Sequence, residues 1–125
     1  MAKETSKAFK KLKLDSKIVL SESSDLRCLL GEYKAGWQRG YTIATLFGKD
    51  SVKTCVKGLY GIPNVVLGHT YWTNTPIDTM RSIRLALRDE LKKYGLDYWQ
   101  SEVCIMSNDE EIGGGGGFDF SMKTA

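Results

Sequence analysis

The chain has 125 residues, of which 42% are hydrophobic, 26% charged and 10% aromatic. This length and composition predict one compact domain that buries its own core, and they exclude global disorder and collagen-like architectures. The N-terminus has no apolar segment, and no stretch approaches the roughly 20 apolar residues of a membrane-spanning helix. Cys28, Cys55 and Cys104 are widely spaced, which is typical of a reducing compartment. We therefore expect an intracellular, cytoplasmic protein with no signal peptide and no membrane contact.

The net charge of +3 is located in the first 15 residues, which contain five lysines and two acidic residues. We expect residues 1–15 to form a basic flexible arm and residues 16–125 to form a single α+β domain. Such an arm predicts nucleic-acid binding, because clustered lysines contact phosphates. The alternative is a solvated tail that aids solubility. The lysines that carry the prediction are Lys7, Lys10, Lys11 and Lys13.

The first elements of the domain are short. Alternation at Ile18 and Leu20 predicts a strand. Residues 24–35 match helical spacing and strand alternation equally well, so both readings stay open. Residues 41–47 are rich in β-branched and aromatic side chains and predict a strand. Residues 51–59 follow helical spacing and predict a short helix.

The second half of the chain gives stronger signals. Residues 65–73 predict a central, mostly apolar strand. Residues 75–94 predict the main core helix, which starts at a Thr-Pro pair, ends before Gly95 and places Leu87 on its apolar face. Residues 98–106 and the alternating Phe-Asp-Phe segment near the C-terminus predict two further strands, with a glycine-rich turn between them.

Together these elements predict an α+β fold with a single, mostly antiparallel sheet of four or five strands and two helices on one face, as in ferredoxin-like or related split β-α-β domains. Residues 64–125 contain a strand, a Thr-Pro-capped helix, a strand, a long turn and a final Phe-Asp-Phe strand. This element order is similar to that of ring-forming tail-terminator and neck proteins of tailed phages. The resemblance implies a viral structural protein that assembles into rings.

Motifs for catalysis or cofactor binding are scarce. His69 is the only histidine, which excludes paired-histidine metal sites, and no two cysteines have the spacing of a zinc or redox motif. The glycines at 113–117 lack the following helix of a phosphate-binding loop. We therefore expect no metal, no cofactor and no catalytic residue. His69, Tyr71 on the same strand face and Glu102 on an adjacent strand are the candidates for a ligand-binding site.

Several side chains exceed what the core of a small domain needs. In the doublets at 71–72 and 98–99, neighbouring rings point to opposite faces of a strand, so one ring of each doublet faces outward. Arginines recur every three or four residues along the long helix and form a basic stripe. Such residues are typical of interfaces, although a solvated helix face and covered sheet faces would also account for them. The predicted interface residues are Trp72, Arg81, Arg84, Leu85, Arg88 and Trp99.

These observations predict a non-enzymatic self-assembling or interaction protein, a homo-oligomer that docks on a larger assembly or a protein partner. One alternative is a nucleic-acid binder that uses the lysine arm and stacks bases on the sheet aromatics. Another alternative is a small-ligand binder or enzyme whose site forms at subunit interfaces.

Overall fold

The computed structural model describes residues 1–31, 40–74 and 76–103. These residues form four helices and three strands. The helices are α1 (Ala2–Leu12), α2 (Arg27–Leu30), α3 (Thr42–Phe47) and α4 (Ile77–Tyr94), and the strands are β1 (Leu20–Ser23), β2 (Val65–His69) and β3 (Asp97–Glu102). None of the helices in the described ranges combines the length and the apolar character needed to cross a bilayer.

The three strands form one sheet in the spatial order β1-β2-β3, and both neighbouring pairs are parallel. Parallel neighbours need a long crossover connection, which contains α2 and α3 between β1 and β2, and α4 between β2 and β3. The prediction of a mostly antiparallel sheet of four or five strands with two helices is therefore wrong. Alternation of apolar residues marks a strand but does not record its direction, which depends on the connections. The predicted C-terminal strand lies outside the described residues.

The helix-facing side of the sheet carries the core. Val66 of β2 is fully buried, and Gly68 lies close to the side chains of Leu26 and Leu29. A Cβ atom at position 68 would come within 3.2 Å of the Leu29 side chain, so any larger residue would push this side chain aside, and glycine permits the close approach of helix and strand. The buried cluster consists of Leu26, Leu29, Ile43, Phe47, Val56, Ile62, Val66, Ile83, Leu87, Leu91 and Leu96.

Helix α4 confirms the main helix that the sequence predicts. It ends at Gly95, whose φ of 61° is the left-handed conformation typical of a helix stop, and the Gly95 N–H bonds the last turn of the helix. Leu87 is buried, as expected from its place on the apolar face. Ile77, in the first turn, shares the helical spacing of the apolar face but is 52% exposed. Thr75, the predicted N-cap, lies outside the described residues.

Replacing Leu87 with alanine is expected to lower the free energy of unfolding by about 2–5 kcal/mol, because it leaves a cavity where α4 packs against the buried core. Leu85→Ala, on the same helix, is the matched control, since Leu85 is 50% exposed and its truncation should change stability by less than about 0.5 kcal/mol. Urea denaturation of both variants measures the difference. Equal losses in the two variants would contradict this packing of α4.

Two local predictions in the middle of the chain are wrong. Residues 42–47, expected as a strand, form α3, because Ile43 and Phe47 lie one helical turn apart and both are buried in the core. Residues 51–59, expected as a helix, form successive turns. There Val52 is 78% exposed and Gly58 has a positive φ of 77°, so the apolar spacing does not produce a buried helical face. Tertiary packing overrides the local preference in both segments.

The predicted basic arm contains α1, which contacts the turn before β2. The hydroxyl of Ser6, a buried residue, donates a hydrogen bond of 2.7 Å to the carbonyl of Tyr60. The Tyr60 hydroxyl in turn donates to the carbonyl of Leu14 at 3.0 Å, and Lys3 donates to the carbonyl of Val52 at 3.1 Å. The domain boundary at residue 15 stays a prediction.

Candidate active site

The carboxyl ends of the three strands bring four polar side chains to one edge of the sheet. Glu22 lies in β1, His69 ends β2, and Ser101 and Glu102 end β3. In α/β proteins with parallel strands, ligands and substrates bind at this edge, whereas the opposite edge serves stability. The topology therefore places the candidate active site here.

A bulge on β1 positions the first carboxylate. Between Leu20 and Ser23, β1 contains one residue more than the facing part of β2. Ser21 has a φ of 70°, a conformation that is costly for a residue other than glycine and that recurs at functional sites. Glu22 follows this strained residue directly. The bulge thus sets the direction of the Glu22 side chain.

A second bulge lies on β3. Gly68 pairs with Gln100 and His69 pairs with Glu102, so Ser101 is the additional residue. Bulges redirect side chains and are common beside active sites. Here the redirected Ser101 reaches across the end of β2 and donates a hydrogen bond to Oε1 of Glu22.

His69 lies between the two carboxylates. Its Nε2 is 2.8 Å from Oε1 of Glu22 and 3.7 Å from Oε2 of Glu102. The imidazole side chain is only 15% exposed, whereas both glutamate side chains are about half exposed, at 53% and 54%. A largely buried imidazole on the central strand therefore joins two solvent-accessible carboxylates on the strands at either side. Such close titratable groups at a sheet edge are a typical setting for acid–base or nucleophilic chemistry.

Two aromatic rings extend the site beyond the end of β2. The rings of His69 and Tyr71 have centroids 5.0 Å apart, and Trp72 contacts Tyr71 edge to face with centroids 5.7 Å apart. When Nε2 of His69 donates to Glu22, its Nδ1 is an acceptor, and this atom is buried without a hydrogen-bond partner among the described residues. The rings therefore fix the imidazole by packing on one side, and Glu22 fixes it by hydrogen bonding on the other.

Hydrogen bonds keep the Glu22 carboxylate ionised. The bond from the Ser101 hydroxyl, followed by the bond from His69, lowers the pKa of Glu22 below its ordinary value of 4.5. A carboxyl group with a lowered pKa is charged at neutral pH, so it accepts hydrogen bonds and does not supply a proton. Glu22 is therefore suited to holding His69 in place.

Ser101→Ala is expected to raise the pKa of Glu22, because it removes the larger cause of the lowered value. In the wild-type protein the stabilising contribution of ionised Glu22 is complete above about pH 4.5 and is lost as the pH falls through the lowered pKa. In the variant this contribution is smaller, and its loss is complete at a higher pH, because only the folded-state pKa has risen. Carboxyl-carbon NMR titration measures the midpoint, and Glu4, whose pKa is lowered by Lys7, is the internal control. An unchanged Glu22 midpoint would contradict the role of Ser101.

The structure brings His69, Tyr71 and Glu102, the predicted ligand-binding residues, together at one edge, and their role in binding stays a prediction. Sequence reasoning missed Glu22 and Ser101. The signal that could have found them is the Ser-Glu pair, which occurs at the ends of two strands. In the part of the chain that the structure describes, no group of three or more His, Cys, Asp or Glu side chains could hold a metal ion.

The predicted interface residues lie mostly on the surface of α4 and the strand ends. Leu85 is 50% exposed and Trp99 is 59% exposed, whereas the guanidinium of Arg84 bonds the carbonyls of Thr73 and Met80 and the Asn74 side chain. Arg84 thereby ties the start of α4 to the turn after β2. The positions that are exposed are Trp72, Arg81, Leu85, Arg88 and Trp99. A role for this set in partner binding stays a prediction.

The predicted nucleic-acid-binding lysines lie on α1 and at its C-cap, and all four are exposed. Lys7 forms an ion pair of 2.8 Å with Glu4, one turn earlier. The remaining predicted nucleic-acid-binding lysines are Lys10, Lys11 and Lys13. Nucleic-acid binding by these residues also stays a prediction.

Comparison with known families identifies the class of protein. The family model of O-Glycosyl hydrolase family 30 matches residues 1–125, the full length of the chain. No curated protein and no solved structure gives a significant match. Because the family consists of hydrolases, the match overturns the prediction of a non-enzymatic self-assembling or interaction protein, together with the predictions of a phage-like structural protein and a homo-oligomer. The chain belongs to O-Glycosyl hydrolase family 30.

Proposed function

We propose that this protein hydrolyses glycosidic bonds and that the carboxylate of Glu102 is its nucleophile. The observation that carries the proposal is the position of Glu102 at the carboxyl end of a parallel strand, 3.7 Å from an imidazole that also contacts a second carboxylate. Glycoside hydrolases in general act through carboxyl groups that flank the bond to be cleaved. Family membership and the geometry of this edge thus agree on the same chemistry.

Glu102 is better placed for attack than Glu22. Oε1 of Glu22 accepts hydrogen bonds from both Ser101 and His69, which use both lone pairs of this oxygen and lower the nucleophilicity of the carboxylate. Within the described residues, the carboxylate of Glu102 has only the longer contact to His69. Its oxygens are therefore available to a substrate, and its side chain is 54% exposed. We assign attack to Glu102 and positioning of His69 to Glu22.

The proposed reaction has two steps. An oxygen of Glu102 forms a bond to the anomeric carbon while the bond from that carbon to the leaving oxygen breaks, and the leaving oxygen takes a proton from a general acid. Water then attacks the same carbon, a general base takes its proton, and the carboxylate of Glu102 is released. Glu22 does not serve as the acid, because its lowered pKa keeps it ionised. His69 keeps both carboxylates in position during the two steps.

The stereochemical outcome tests this proposal. Two displacements at one carbon restore its configuration, so the first sugar formed should have the anomeric configuration of the substrate. The protein is incubated in deuterated water with a panel of nitrophenyl glycosides of both anomeric configurations, and proton NMR follows the newly released anomer. Hydrolysis with retention supports the proposal. Inversion would exclude a nucleophilic Glu102, and no hydrolysis of any glycoside in the panel would contradict the activity.

We also propose an intracellular, reducing location. Its support is the wide spacing of Cys28, Cys55 and Cys104 along the sequence, which matches no zinc or redox motif. Cell fractionation tests it: recovery of the protein with cytoplasmic markers is expected, and recovery from the culture medium would contradict it.

A further inference from the structure

A cavity opens beside the carboxylate edge, between the end of β1 and the start of α3. Its volume of about 510 Å³ lies within the range of about 300–1,000 Å³ found for pockets that hold small ligands. Because Glu22 belongs both to this cavity and to the contact with His69, the cavity adjoins the proposed active site at Glu22. Its wall includes Ser21, Glu22, Ser23, Ser24, Cys28 and Thr42.

The wall of the cavity offers mainly hydrogen-bond acceptors. The hydroxyl groups of Ser21, Ser23 and Thr42 each donate their single proton to a backbone carbonyl. A hydroxyl whose proton is used in this way keeps only its lone pairs for a ligand. Ser24 has no hydrogen bond among the described residues, so its hydroxyl is open to either role. The cavity therefore complements a ligand that carries several hydroxyl donors.

The charge of the wall narrows the class of ligand. Among the described wall residues Glu22 alone is charged, and its lowered pKa keeps it negative at neutral pH. A ligand carboxylate in the cavity would lie near this like charge, with no described cation on the wall to compensate it. A neutral sugar avoids this repulsion and donates its hydroxyl protons to the acceptors.

We propose that this cavity is a binding subsite for an uncharged glycosyl unit, next to the unit that Glu102 attacks, and that it rejects uronic acids. The link to hydrolysis rests on the proposed function, whereas the binding preference rests on the cavity itself. Ser24 is the wall residue best suited to a test of this preference, because substituting it removes no internal hydrogen bond among the described residues.

Binding is measured without turnover in the Glu102→Gln variant of the protein. The probes are cellobiose, maltose and their counterparts oxidised to a carboxylate at C6 of the non-reducing ring, and NMR titration gives each Kd. At least one neutral disaccharide should bind about tenfold or more tightly than its oxidised counterpart, which is the effect of losing one or two hydrogen bonds and adding repulsion. Equal affinity for a neutral sugar and its uronate, or no binding of either neutral sugar, would overturn the proposal.

Two substitutions at Ser24 localise the effect. Ser24→Lys introduces a cation and should reduce the preference for the neutral sugar to about twofold or less, because the new charge offsets Glu22. Ser24→Ala should weaken binding of the neutral sugar about threefold or more. Ser82→Lys adds the same charge on an exposed turn of α4, outside the cavity, and should leave the preference unchanged. If Ser82→Lys acts like Ser24→Lys, or both Ser24 variants leave the preference unchanged, the subsite is wrong.

The outcomes separate this inference from the proposed function. Retention of configuration in wild-type hydrolysis together with equal binding of neutral and oxidised disaccharides would leave the nucleophile in place and remove the subsite. A neutral preference that Ser24→Lys abolishes, in a protein that hydrolyses no glycoside, would support the subsite and remove the hydrolase activity.

Discussion

Replacing Glu102 with alanine is expected to lower kcat/KM for an activated aryl glycoside by at least about 10⁴-fold, since removal of a nucleophile generally has effects of this size or larger. Added azide should restore part of the rate, because the small anion enters the space left by the carboxylate and attacks the anomeric carbon from the same side. The product is then a glycosyl azide of inverted configuration, which NMR identifies.

Two further variants sharpen this result. Glu22→Ala is expected to lower the rate about 10²-fold without azide rescue, because it misplaces His69 and does not remove the attacking atom. Asp89→Ala, on the exposed part of α4 where Asp89 pairs with Arg88, should leave the rate unchanged. Azide rescue of Glu22→Ala, combined with an active Glu102→Ala variant, would reverse the assignment of the two carboxylates.

Breaking the ion pair between buried Asp25 and partly exposed Arg27 at the start of α2 is expected to have the largest effect on stability. Asp25 is 2% exposed, and its carboxylate accepts hydrogen bonds from the guanidinium of Arg27 at 2.6 Å, 2.9 Å and 3.2 Å. Arg27→Met retains much of the side-chain length and leaves Asp25 without that partner. The free energy of unfolding should fall by about 3–5 kcal/mol, which is the usual consequence of an uncompensated buried charge.

Urea denaturation at neutral pH measures this loss. Arg81→Met, which removes an exposed arginine from α4, is the matched control and should change the free energy of unfolding by less than about 0.5 kcal/mol. A loss in Arg27→Met as small as that in the control would show that the pair does not stabilise the fold.

The spacing of apolar residues along the sequence predicts those parts of the fold that depend on local interactions. The apolar face of α4 and its stop at Gly95 follow from helical spacing and from the freedom of glycine to adopt a left-handed conformation. The buried strand predicted over residues 65–73 is recognisable from its short apolar run, although β2 ends at His69. These features need no information from distant residues.

The direction of a strand and the secondary structure of a short segment depend on contacts with residues far away in the sequence. The parallel pairing of β2 with β3 follows from the crossover of α4 over the sheet, and the strand pattern itself would suit either direction. Residues 42–47 have strand-like composition, yet the burial of Ile43 and Phe47 against other helices stabilises a helix instead. Tertiary contacts determine the secondary structure of such segments, and these contacts cannot be deduced from the sequence of the segment alone.

The candidate site was predictable only in part, for a related reason. His69, Tyr71 and Glu102 stand out as titratable or aromatic residues within predicted strands. The partner of His69, Glu22, is placed by a bulge at Ser21, and a bulge leaves no clear mark in the sequence. Without Glu22 the histidine looks isolated, which favoured the incorrect prediction of a protein without catalysis.

The measurement that most directly tests the assignment of Glu102 is covalent trapping. A glycoside that carries fluorine at C2 and an activated leaving group forms the glycosyl ester quickly but hydrolyses slowly, so the intermediate accumulates on the nucleophile. Mass spectrometry of peptides from the treated protein should find one added fluoroglycosyl group, attached to Glu102. A label on Glu22, or no label after complete exposure to fluoroglycosides of both anomeric configurations, would contradict the assignment.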